Sequence, residues 1–146
     1  MNAPDDKRTR YSELFDQTPT GCCVVSGTGR ILLANARAVA LLGVNRNLPD
    51  PQRIGHFILS EDRYLYDRLL ELAASGTGAP ACELRMIRAD GTLFWAHLLA
   101  SSGRDPLGSQ EWRLAFNDIS AAKLAGSRRE AEIRRQAEEQ VANLLA

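Results

Sequence analysis

The chain is 146 residues long and 45% hydrophobic, and its 18 Lys and Arg balance 18 Asp and Glu for a formal net charge of zero. That length supports one domain with a core of its own plus an appendage, and the charge balance gives no global attraction to nucleic acid or to an acidic membrane. Three cysteines, two of them adjacent at Cys22 and Cys23, fit neither a Cys-x-x-Cys pair, nor a zinc ribbon, nor an even-numbered disulfide framework.

Residues 1–10 are polar, carry no apolar signal core, and are expected as a disordered leader to a domain over 11–120. Tyr11, Leu14 and Phe15 fall at i, i+3, i+4 and predict a short amphipathic helix that ends at Pro19. A strand over 21–25, a turn at 26–29 and a returning strand over 30–34 follow. Asn35 is placed to cap a helix over 36–42, which Gly43 closes. Prolines at 49 and 51 make 45–53 a loop, and 54–58 a short apolar turn. Ser60 is expected to cap a helix over 61–74 whose buried stripe is Tyr64, Leu65, Leu69 and Leu72, stopped by 75–78.

Three further strands are expected over 81–88, 92–101 and 111–117. They are joined by turns at Asp90-Gly91, both residues read as φ > 0, and at 105–108. Alternation puts Cys82, Leu84, Met86, Phe94, Ala96, Leu98, Trp112, Leu114 and Phe116 on one face of this antiparallel meander. The other face carries Glu83, Arg85, Ile87, Trp95, His97, Leu99, Arg113, Ala115 and Asn117, too apolar at Ile87, Trp95 and Leu99 to be left to water. Residues 121–146 hold no proline and are rich in Ala, Glu, Arg and Gln, so they read as one helix. Its surface pairs are expected at Glu130/Arg134, Arg135/Glu139 and Arg128/Glu132. Its apolar stripe, Ile133, Ala137, Val141 and Leu144, is narrow and suits a partner helix better than a globular core.

The order of these pieces resembles the PAS domain. The C-terminal half carries Arg88-Ala89-Asp90-Gly91-Thr92, Phe94-Trp95-Ala96, Asp105-Pro106-Leu107-Gly108 and Asp118-Ile119-Ser120, the last similar to that family's Asp-Ile-Thr before an output helix. The front half adds Phe15-Asp16, Pro19-Thr20-Gly21, Gly29-Arg30-Ile31 and Asn35-Ala36, so the likeness runs from about Tyr11 to Lys123. It implies an α+β fold with a five-stranded antiparallel sheet in the order 2-1-5-4-3, helices over one face and a coiled-coil helix at the C-terminus. It also implies a sensory domain that passes a signal to a downstream effector in the same protein, such as a histidine kinase or a cyclic-dinucleotide enzyme. Asp118, Ile119 and Ser120 are then the signal junction, with Asp118 pairing to a basic group on the sheet and Ser120 placed as the N-cap of the helix that follows.

Other chemistry fares less well. The flavin-thiol light sensors of the family carry Asn-Cys-Arg-Phe-Leu where this chain has Gly55-His56-Phe57-Ile58-Leu59, so that photochemistry is excluded; a haem ligand is missing from the helix over 61–74. The cysteines, His56 and His97 lack the spacing of a metal site, and no catalytic constellation or phosphate-binding loop stands out, so no enzyme activity is expected. A small organic ligand needs only an apolar pocket, for which Leu84, Met86, Phe94, Ala96, Leu98, Leu114 and Phe116 are the candidates. A homodimer is expected through Tyr11, Leu14, Phe15, Trp95 and Leu99 and through the Ile133, Ala137, Val141, Leu144 stripe. A ligand-free dimerisation or docking module, and a flavin or haem redox or gas sensor, are the alternatives. The setting is expected to be cytoplasmic, with reduced thiols, no nucleic acid and no membrane span in this segment.

Overall fold

The structure, a computed structural model, describes residues 3–45, 52–76 and 78–145, with side chains from residue 9 onward. Residues 46–51 and Thr77, within the expected loops, lie outside the described residues. The elements are α1 (Ala3–Gln17), β1 (Gly21–Ser26), β2 (Ile31–Ala34), α2 (Ala36–Leu42), α3 (Arg63–Ser75), β3 (Ala81–Ile87), β4 (Leu93–Arg104), β5 (Gln110–Asp118) and α4 (Ser120–Leu145). The strands form one antiparallel sheet in the order β2-β1-β5-β4-β3, as expected, so the last strand lies at its centre.

Burial follows the predicted alternation. Leu84, Met86, Phe94, Ala96, Leu98, Leu114 and Phe116 are all at most 2% exposed and pack with Val25, Leu42, Ile54, Phe57 and Leu69 into one core between the sheet and the helices. At roughly 1.5 to 3 kcal/mol for each large apolar side chain removed from water, this layer supplies most of the driving force for folding. Helix α2 can lie close on β1 because Gly21 has no side chain. A Cβ there would stand 3.1 Å from both Leu41 Cδ1 and the Phe116 carbonyl.

Asn35 ties this half of the fold together. It is fully buried, and its Oδ1 accepts from the N–H groups of Cys22 and Ala38, both at 2.9 Å, while Nδ2 donates to the carbonyls of Phe15 and Thr20, also at 2.9 Å. One side chain thus caps α2, anchors β1 and fixes the end of α1, with all four of its hydrogen bonds made. Gly43 closes α2 at φ 69, as a left-handed cap should.

Several expectations need correction. The segment read as a leader is helical from Ala3, because Pro4 stands in the first turn, where backbone N–H groups have no helical partner to lose. Only Gly91 of the Asp90-Gly91 pair has positive φ; Asp90 instead accepts from the Thr92 N–H and hydroxyl, which holds the turn from outside. Before α3 the backbone makes a 3-10 turn, Ser60–Asp62, so Ser60 caps nothing and its hydroxyl bonds Glu61. The buried stripe of α3 is Tyr66, Leu69 and Ala73, with Tyr64 and Leu72 exposed; that later start turns the helix so that a different i, i+3, i+7 set faces the sheet. On α4, Arg135 pairs back to Glu132 and not forward to Glu139.

Asn35→Asp, although isosteric, would set a carboxylate oxygen against two carbonyls in a closed site. It should cost at least about 3 kcal/mol, read as a lower urea midpoint; an unchanged midpoint would contradict the role given to Asn35.

Candidate functional site at the root of the last helix

β5 ends on Asp118, which lies opposite Ala96 of β4. Its carboxylate is shared between two elements: Oδ1 accepts the Ser120 N–H at 2.8 Å, and Oδ2 accepts from Arg88 Nη2 at 3.0 Å. Arg88 sits just beyond β3 in the turn to β4. Its guanidinium lies 4.5 Å from the ring centre of the buried Phe94, and its Nη1 donates to the Thr92 hydroxyl at 3.2 Å. Both partners of the ion pair are partly exposed, 28% each, so the pair contributes about 1 kcal/mol or less; what it adds is a fixed orientation.

The next two residues hold the chain to β4. The Ile119 N–H donates to the Trp95 carbonyl at 2.8 Å, and the Ser120 hydroxyl accepts the Trp95 N–H at 2.9 Å. Ser120 is therefore not the cap of α4, as its sequence position suggests. The helix begins one residue earlier than expected, the Ile119 carbonyl takes the first helical bond from the Lys123 N–H, and Asp118 serves the exposed amide of Ser120.

One turn into α4, Lys123 pairs with Glu83 of β3 and sets its ammonium 4.7 Å from the Trp95 ring centre. Arg85 approaches the same ring at 5.6 Å and is held by Asp62 through Nε at 2.9 Å and Nη2 at 2.7 Å. Asp62, 5% exposed, also accepts the Arg85 backbone N–H at 2.8 Å. The Arg85 guanidinium and these hydrogen bonds hold the Asp62 carboxyl below the usual carboxylate range against the opposing effect of burial. Trp95 is thus flanked by α4 and a β3 arginine and stays half-buried.

The other expected site residues lie as follows. The seven apolar pocket candidates share the buried face, within the core described above. Tyr11 and Leu14 are exposed; Phe15 is half-buried and joins Cys22, Val24, Leu99 and Ala115 around an apolar hollow of 350 Å³ on the outer face of the sheet. Ile133, Ala137, Val141 and Leu144 are exposed on α4, which buries no residue at all. His97 lies on the outer face, whereas His56 borders a cavity on the helical side. Cys23 is buried and its thiol pushed up to about 12 by burial, as befits an inert core filler.

Arg88, Glu83, Lys123, Arg85 and Asp62 were missed individually in the sequence. The clue available was the pleat: Glu83 and Arg85 lie on the same face as Trp95, and Lys123 falls one helical turn past the junction.

The family profile described as the PAS fold matches residues 9–119. With the fold and junction above, the chain belongs to the PAS family. Similar solved structures include a PAS domain from Colwellia psychrerythraea (18% identity, 80% of this chain and 99% of that one, TM-score 0.69). A PAS domain of an HTR-like protein from Haloarcula marismortui is 22% identical over 79% of this chain and 93% of its own, with TM-score 0.66. A sensory box histidine kinase/response regulator from Burkholderia thailandensis is 18% identical over 89% and 96%, with TM-score 0.61. No curated protein matches the chain. Among the described residues no helix is long and apolar enough to cross a membrane.

Because the Asp62 carboxyl is lowered in the folded state, its contribution to stability is present above the unfolded carboxylate value, about 4, and is lost as pH falls through the folded one. Asp62→Asn should therefore unfold at lower urea than the parent at pH 7, with the two midpoints converging as the pH drops below about 4. A gap that stayed constant down to acid pH would contradict this.

Proposed function

We propose that the chain is the cytoplasmic sensory PAS domain of a bacterial signal-transduction protein. It acts as a homodimer and passes the state of its sheet through α4 to an effector farther along the same protein, such as a histidine kinase or a cyclic-dinucleotide enzyme. It is not itself an enzyme. The observation that carries the reading is the contrast within α4. Its first turn is tied to the sheet at Asp118, Ser120 and Lys123, yet no residue of its 26 is buried. Such a helix, about 39 Å long at 1.5 Å per residue, has little reason to persist alone, and the stripe Ile133, Ala137, Val141, Leu144 suits a parallel pairing with a second copy. The exposed Tyr11 and Leu14, the outer-face hollow at Phe15 and Leu99, and the edge of Trp95 extend the same contact. The sensory box histidine kinase among the similar structures supports the choice of effector.

The closed packing of the seven interior residues favours one alternative, a ligand-free dimerisation or docking module. A fusion of the 146 residues to a histidine-kinase core tests the main reading. Asp118→Ala should leave the domain folded, since one partly exposed pair is worth about 1 kcal/mol, while changing autophosphorylation at least about fivefold. Arg88→Ala should do the same. Kinase output identical to the parent in both variants would sink the proposal.

A further inference from the structure

A cavity of about 330 Å³ lies where the β1–β2 turn, at Thr28, meets the 3-10 turn Ile54–Phe57, α3 and Trp112 of β5. It is distinct from the interior set expected to hold a ligand. Two guanidinium groups stand at its rim, and each is steadied by a backbone carbonyl: Arg53 Nη1 donates to Thr28 at 2.8 Å, and Arg63 Nη2 to Gly55 at 2.7 Å. A Cβ at position 55 would stand 2.8 Å from Arg63 Nη2, so the glycine leaves room for that seat. Each guanidinium has five N–H donors and spends one on its carbonyl, which leaves donors to offer.

The floor carries the second observation. Tyr66 is only 6% exposed, and no hydrogen bond joins its hydroxyl to a described residue. No polar side-chain atom among the described residues is both sealed from the surface and unpartnered, so the hydroxyl opens onto the cavity that its residue lines. With no protein partner, that hydroxyl is served only by water or by a ligand in the cavity. Asp67 and His56 also line the cavity, and with Asp67 set against the two guanidinium groups the lining side chains other than His56 carry one net positive charge at pH 7. That balance suits a monoanion better than a doubly charged phosphate ester. Trp112, Leu70 and Ile54 supply an apolar wall against which a flat body can lie.

We propose that this cavity binds a small monocarboxylate with a flat apolar body, its carboxylate between Arg53 and Arg63 and its polar edge on the Tyr66 hydroxyl. The proposal deepens the sensory reading by naming a ligand class, and rests on that reading only for what binding would do to α4.

Benzoate is the probe, titrated calorimetrically into the 146-residue protein, with benzamide as its neutral isostere and inorganic phosphate as the competing anion. Benzoate should bind saturably, one per chain, in the submillimolar to low millimolar range, on the order of 1 mM, and shift the Trp112 indole resonance. Benzamide and phosphate should each bind at least about tenfold more weakly, since neither meets both the charge and the apolar wall. Arg63→Gln and Tyr66→Phe should each weaken benzoate at least about fivefold; Tyr66→Phe removes a single oxygen and keeps the test valid if the arginine variant folds poorly. The site is overturned by benzoate binding that neither substitution alters, by equal binding of benzamide or phosphate, or by no saturable binding up to about 10 mM, far above that affinity. Binding that occurs as expected, but leaves α4 pairing unchanged, would uphold the site and remove the sensory reading.

Discussion

The chain's last strand lies in the middle of its sheet, and the placement of α4 depends on that constraint. In the order β2-β1-β5-β4-β3, β5 is bonded on one side to the first hairpin and on the other to the β3–β4 hairpin. Past Phe116 the strand is bonded to β4 alone, so the helix that leaves it starts beside β4 and the β3–β4 hairpin. Between Asp118 and Lys123 the chain therefore meets the Arg88 guanidinium at the β3–β4 turn, the backbone of Trp95 on β4 and the Glu83 carboxylate on β3.

The contacts at this root differ in strength from the layers around them. The core residues beneath are closed, and Asn35 and Asp62 are buried groups with their hydrogen bonds made. The ties to α4 are partly exposed pairs and cation–aromatic contacts of about 0.5 to 1 kcal/mol each. Their sum is of the size by which a ligand or partner can shift a two-state equilibrium, roughly 1 to 3 kcal/mol, whereas the core is far beyond that range. A small displacement of the sheet can then re-aim the helix without unfolding the domain. Asp62, Arg85, Trp95 and Lys123 also form a contiguous line from the start of α3 to α4, through which the helical side of the sheet touches the junction.

What could be read from the sequence was what short-range physics decides. The β3, β4 and β5 faces follow from alternation alone, and a shift of one residue would have put His97 inside and Phe94 outside; Phe94 is buried. Asn35 and Gly43 were legible as caps because the residue types that satisfy helix ends are few. The face of α3 was not, because the preceding turn delays its start at Asp62, and that turn depends on a carboxylate engaged by Arg85, 23 residues away. Ser120 looked like a cap for the same reason: its hydroxyl is claimed by Trp95, which only the folded sheet brings near. The basic partner of Asp118 was expected in kind, and identifying Arg88 required the register of β4 on β5.

Under the proposed function, the Asp118 junction sets how two α4 helices pair. Spin labels at Glu138, an exposed position on α4, would report the distance across the pair by double electron–electron resonance. The parent should give one narrow distance distribution, and Asp118→Ala a shifted or broadened one at the same dimer fraction. Identical distributions in the two proteins, or the lack of any interhelical distance within the range of the method, would contradict it.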